Sequence, residues 1–92
     1  MKYDTDTIYE PTSLVEVERN LYVINSEDFI YIFSFHVLIA IVERKLNRIY
    51  ISNSQNFTSR IKAHLTKTKR VYKDNDQINV EQNYLYYKFK IK

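Results

Sequence analysis

The chain lacks glycine and cysteine altogether and has a single proline, Pro11, in 92 residues. Glycine makes up about 7% of ordinary sequences, so roughly six would be expected at this length. Sites that need a positive φ, or bare backbone against a phosphate, have no glycine to supply it. The P-loop, the dinucleotide fingerprint and the nucleophile elbow therefore cannot be built in their standard forms. Without cysteine there is no disulfide framework and no thiol chemistry. Met1–Glu10 is polar, and its first basic residue is followed by acids rather than an apolar run, so no signal peptide is read. A cytoplasmic protein is expected, in the host cytoplasm if the source is viral. No motif asks for a cofactor or a metal, and none is expected.

Alanine is scarce too (Ala40, Ala63), while Ile, Asn, Lys and Tyr are plentiful. Gly, Ala and Pro have GC-rich codons and the abundant four have AT-rich ones. An AT-rich genome explains most of the missing glycine without a structural cause. Such genomes are found among bacteria, their phages and plasmids, and some archaeal viruses.

What is present is enough for a core. Hydrophobic residues make up 45% of the chain, which argues against wholesale disorder and fits one small domain over residues 1–92. Met1–Pro11 is expected to be irregular or mobile. The net charge of +3 is unevenly spread. Met1–Asp28 has two basic and seven acidic residues, Phe29–Ser59 three and one, and Arg60–Lys92 nine and three. The C-terminal third thus points to an anionic partner, unless the two ends attract each other or are simply solvated. The acids Glu10, Glu16, Glu18, Glu27 and Asp28 are scattered and read as a solvated face.

Val15, Val17, Leu21 and Val23 share a face at period two, with Glu16, Glu18 and Asn20 opposite, which reads as a strand. A capping-box match at Ser13-x-x-Glu16 would support a short helix instead. Asn25–Asp28 is a turn. Phe29–Val42 is an apolar run broken only by Ser34 and His36, and is too short for a membrane span of about 20 residues. It predicts a central strand, or two strands joined by a bend near Ser34–Val37, with Phe29, Tyr31, Phe33 and Phe35 on one face and Ile30, Ile32 and Leu38 on the other. One helix cannot cover both faces, so a homodimer is one way to hide the second. Glu43–Arg48 is a hairpin loop and Ile49–Ile51 a strand. Ser52-x-x-Gln55 marks a capping box, predicting a helix over about 54–69 with Phe57, Ile61, Leu65 and Thr68 as its apolar stripe. Lys73–Gln77 is a turn or loop. Asn83–Lys92 alternates and predicts a strand, with Leu85, Tyr87, Phe89 and Ile91 on one face and Tyr84, Tyr86, Lys88 and Lys90 on the other. The fold class is α+β: an antiparallel sheet of four or five strands with one main helix packed on one face.

Two clusters suggest binding. The Tyr84, Tyr86, Lys88, Lys90 strand face pairs rings that stack on bases with ammonium groups that meet phosphates. Tyr72 and the helix residues Arg60, Lys62, Lys67, Lys69 and Arg70 would extend that patch. Lysines on an edge strand also keep sheets from pairing edge to edge, which is the bland alternative. Of the two histidines, His36 is expected to be a hydrogen-bonded core residue and His64 to pack at the border of the helix stripe. A ribonuclease could use His64, Arg60 and Tyr72 for proton transfer and charge stabilisation, but no spacing requires it, and a non-enzymatic protein is expected.

Ser34-Phe35, Ile39-Ala40-Ile41, Tyr50-Ile51-Ser52 and Thr58-Ser59-Arg60 together resemble a pattern in small uncharacterised bacteriophage and prophage proteins. The likeness spans about a third of the chain. Ile61 stands where those proteins often have histidine. The resemblance carries over no known activity and implies a mobile-element origin. A domain of that type usually works by binding. The leading expectation is a protein that binds and inhibits a host protein or ribonucleoprotein, for example a defence system such as CRISPR–Cas. The alternatives are a module that binds single-stranded RNA or DNA, and a small ribonuclease toxin. No membrane partner is expected.

Overall fold

The computed structural model describes residues 14–91. Met1–Pro11, expected above to be mobile, lies outside the described residues. The element order is β1 (Leu14–Glu18), β2 (Leu21–Asn25), β3 (Phe29–Ser34), β4 (Val37–Glu43), β5 (Arg48–Ser52), α1 (Ser59–Val71), β6 (Asp76–Val80) and α2 (Gln82–Ile91). The strands form one six-stranded sheet in sequence order. β1 to β5 are an antiparallel meander, and β6 adds in parallel beside β5 after the chain crosses over through α1. The α+β class with a mostly antiparallel sheet is as the sequence predicts. The sheet has six strands, and a second helix accompanies the main one.

Most turns fall where the pattern placed them. The segment read as one strand around Leu14–Ile24 is a hairpin, turned at Arg19-Asn20, where Asn20 has φ 65°. The apolar run folds at Phe35-His36 into β3 and β4. Ser26 holds the preceding turn, its N–H donating to the Phe29 carbonyl at 2.8 Å. Asn47, with φ 54°, closes the β4–β5 loop. Asparagine tolerates the left-handed region and so does glycine's work at two of these turns.

A β-bulge decides which side chains of β4 face where. Ile32 pairs with Ala40 and Phe33 with Leu38, leaving Ile39 as the extra residue. Ile39 and Ala40 therefore lie on the same face, in one core layer with Ile32, Val42, Ile49 and Ile51. Leu38 and Ile41 join Tyr31, Tyr50 and Ile24 in the other layer. The expected face assignment thus changes at the turn: Phe35 packs with the first layer and Leu38 with the second, because the hairpin and its bulge reset the alternation.

Both layers are covered within the one chain. α1 lays Ile61, His64 and Thr68 on the first. α2 closes the second with fully buried Leu85, backed by Tyr86 and Phe89. The segment predicted as the last strand is therefore a helix. Its sequence fits both periods, since Leu85 and Phe89 are i, i+4 neighbours as well as alternating residues. The uncovered apolar face of β3 and β4 decides between them, because a ten-residue helix can lie across that face. Tyr87, which alternation would bury beside Leu85, is 63% exposed. The reason given for a homodimer, a second face left bare, is removed. Lys73–Gln77, read as a turn, runs at its end into β6, a polar edge strand whose weak signal is only Ile78 and Val80.

The main helix starts later than its capping-box match. Its N-cap is Thr58, whose hydroxyl accepts from the Ile61 N–H at 3.3 Å. Ser52 is otherwise engaged: its hydroxyl donates to Gln82 Oε1 at 2.5 Å, and the Gln82 amide donates to the Leu38 carbonyl at 2.6 Å. That pair of bonds pins the start of α2 to β4 and β5.

Candidate nucleic-acid interface

α1 has no acidic residue and carries Arg60, Lys62, Lys67, Lys69 and Arg70. Its buried side is Ile61, His64 and Thr68, so helical spacing turns these cations toward solvent. Arg60, Lys62, Lys69 and Arg70 are all exposed and make no ion pair among the described residues. Lys67 differs. Its ammonium donates to Glu18 on β1, and this contact, ahead of any other cause, holds the Glu18 carboxyl below its ordinary range. Tyr72, the helix C-cap, packs against the first core layer, and burial raises its phenol above the ordinary value.

Beside α1 runs a groove of about 390 Å³ between the helix, the 53–58 loop and β6. Lys62 and Lys69 stand on its helix wall, facing Asn53, Ser54, Gln55 and Asn79, and no carboxylate lines it. Hydroxyls, amides and ammonium groups without an opposing acid form a lining that takes phosphate oxygens. The helix predicted over about 54–69 takes in Ser54, Gln55 and Phe57 and so hides this wall, for which the polar run Ser52–Asn56 is the available signal.

The structure does not bring Tyr84, Tyr86, Lys88 and Lys90 together as a face. On a helix they separate, and α2 lies on the opposite side of the sheet from α1. Tyr86 packs into the second core layer. Lys88 is half-buried, its ammonium 4.7 Å from the centre of the Tyr50 ring, 5.3 Å from that of Phe29 and 3.9 Å from Glu43. The Tyr50 hydroxyl donates to the same carboxylate at 2.8 Å, and burial, followed by this bond, raises its pKa. Lys88 thus binds Tyr50, Phe29 and Glu43 and is not presented to a ligand. Tyr84 and Lys90 remain exposed on α2, with Tyr84 6.0 Å from Tyr50. The expected continuous patch is two separate surfaces: α1 keeps four unpaired cations among the described residues, and α2 keeps Lys90.

The histidines exchange their expected places. His36 is exposed in the β3–β4 turn. His64 is buried, its Nδ1 2.6 Å from the Ser34 hydroxyl and its Nε2 3.5 Å from Glu18. The contacts are satisfied when Ser34 donates to Nδ1 and Nε2–H points at the carboxylate. Ser34 is fully buried, so this Ser–His–Glu series ties β1, β3 and α1 together and does not expose a nucleophile. Of the ribonuclease set, Arg60 and His64 line one pocket, with His64 buried behind it, and Tyr72 lines another beside Val17 and Leu21. No group of three or more His, Asp or Glu side chains among the described residues is placed to hold a metal. No helix among them is long and apolar enough to cross a membrane.

Comparison of the chain with family models, with curated proteins and with solved structures returns no match.

Proposed function

We propose that the protein is a non-catalytic binding module of mobile-element type that holds a nucleic acid by its phosphates along the outer face of α1. The observation that carries this reading is the set Arg60, Lys62, Lys69 and Arg70, exposed and unpaired among the described residues, two of which, Lys62 and Lys69, line a groove without a carboxylate. Each phosphate neutralised contributes about −0.7 to −0.9 to the slope of log affinity against log salt. Four contacts would give a slope near −3, a loss of roughly fiftyfold between about 50 and 200 mM salt. Titration of a fluorescein-labelled oligonucleotide by anisotropy at several salt concentrations measures this. Lys62→Gln and Lys69→Gln should each lower the slope by about one contact. An affinity that ignores salt and both substitutions overturns the proposal.

A second reading, a protein that binds and inhibits a host factor such as a CRISPR–Cas component, draws support from a different surface. β1 is an edge strand with exposed Val15 and Val17, beside an apolar groove of about 160 Å³ lined by Val17, Leu21 and Val71. Such an edge accepts a strand from a protein partner. On this reading Val17→Lys abolishes stoichiometric capture of a nuclease-resistant partner from host lysate and leaves oligonucleotide binding intact. Capture that is unchanged by Val17→Lys, or that is lost on nuclease treatment, counts against it.

A further inference from the structure

Two hairpin turns and the first turns of α1 meet at one end of the sheet. The Phe35 N–H donates to the Asn20 carbonyl at 2.7 Å, which joins the β3–β4 turn to the β1–β2 turn. Between them and α1 is a pocket of about 380 Å³, within the range of about 300–1,000 Å³ common for small-ligand sites. Arg19 and Arg60 line it from opposite elements, and His64 lies buried in its lining, held by Ser34 and Glu18. Ala63, a small residue, leaves room on the helix side.

Glu18 also lines the pocket, but Lys67 and His64 face its carboxylate. The Arg19 and Arg60 guanidinium groups make no hydrogen bond or ion pair among the described residues. Arg19, Arg60, Lys67 and Glu18 together give the pocket and its border a formal charge of +2.

Phe35 makes the site more than an anion hole. It is the first residue of a two-residue hairpin turn and has φ 59°, where glycine or asparagine is the usual occupant and a bulky side chain is an outlier. Its half-buried ring sits 5.9 Å from the His64 ring and borders the arginine pocket and its two neighbours. Backbone strain of this kind concentrates at functional sites. A ring beside two free guanidinium groups is the arrangement that stacks an unpaired base and takes its phosphate.

We propose that this pocket seats one nucleotide of a single strand, with the base on Phe35 and its phosphate on Arg19 and Arg60. The inference rests on the nucleic-acid reading and names its ligand: a single strand rather than a duplex, whose bases are stacked away. The test uses the full chain and two probes, a labelled 12-nucleotide single strand and a blunt duplex of the same sequence, a length of about one protein site. Phe35→Leu should weaken single-strand binding by about five- to a hundredfold and leave the duplex unchanged. Phe35→Tyr keeps a ring and should bind like the parent. Arg19→Gln is a surface change that should lower the single-strand salt slope by about 0.7. Circular dichroism checks each fold, and if Phe35→Leu unfolds, Arg19→Gln decides.

If Arg19→Gln and Phe35→Leu bind the single strand like the parent while Lys62→Gln and Lys69→Gln weaken both probes, the pocket is wrong and the α1 reading stands. If none of the four has an effect, both fall. Inorganic phosphate competing as well as a mononucleotide would overturn the stacking of a base on Phe35.

Discussion

Replacing Lys88 by alanine separates a structural lysine from a ligand-binding one. The Lys88 side chain is 16% exposed, between the rings of Tyr50 and Phe29 and beside Glu43. A partly desolvated cation over an aromatic ring contributes about 0.5–2 kcal/mol, and a partly exposed ion pair adds about 0.2–1 kcal/mol. Loss of both, with the lysine stem that covers Tyr50, should cost about 1–3 kcal/mol. Near this chain length each kcal/mol moves the midpoint by about 4–8 °C, so thermal unfolding followed by circular dichroism should show a fall of about 4–24 °C. The salt slope for an oligonucleotide should not change, because this ammonium never faces a phosphate. Lys90→Ala, on the exposed side of α2, should leave the midpoint where it was. A Lys88→Ala protein with an unchanged midpoint and a salt slope smaller by about one contact would refute the placement of α2 and restore the strand face.

Leu85→Ala should cost about 2–5 kcal/mol, since the side chain is fully buried in the layer under α2, while Tyr87→Ala should stay within about 0.5 kcal/mol; equal losses measured by urea unfolding would contradict the helix. Tyr31, Tyr50 and Tyr72 all have raised pKa values, chiefly from burial, so their neutral phenols stabilise the fold fully below about pH 10 and that contribution is lost as pH climbs through the raised values. Tyr50→Phe should therefore flatten the alkaline fall in urea midpoint, and an unchanged slope would count against the buried Tyr50–Glu43 bond. Glu18 shifts the other way: its carboxyl, lowered by Lys67, stabilises above about pH 4.3 and loses that effect as pH falls through its lowered value. Glu18→Gln should flatten the acid side of the pH–midpoint curve, and a curve identical to the parent's would mean the pair adds nothing.

The parts of the fold legible in the sequence are those with one solution to their pattern. The run Phe29–Val42 is apolar on both faces, and that alone requires cover on both sides of the sheet. The stripe Ile61, Leu65 and Thr68 has only a helical reading. Asn83–Lys92 reads as a strand because its two periods coincide at Leu85 and Phe89; what separates them is the vacant second layer, a tertiary fact. The capping box at Ser52 failed for a similar reason, since its hydroxyl serves Gln82, 30 residues away. The basic residues of the candidate site were visible as charge. Their division between two faces of the sheet was not, because it depends on which side each crossing helix takes.

Asparagine fills two of the three positive-φ positions among the described residues, Asn20 and Asn47. An AT-rich codon bias would explain asparagine in place of glycine, because both tolerate the left-handed region and only asparagine has AT-rich codons. The same bias would supply asparagine at position 35 just as easily, yet the residue is phenylalanine. A left-handed conformation costs a residue with a Cβ about 1–2 kcal/mol, so the ring must return something asparagine would not. Part of that return is packing, since Phe35 touches the first core layer and His64. Packing alone would favour a ring fully inside, and Phe35 is only half-buried, at the rim of the pocket that holds Arg19 and Arg60. The absence of glycine thus points past genome composition to one residue, and the proposed binding of an unpaired base would give the exposed part of its ring a use.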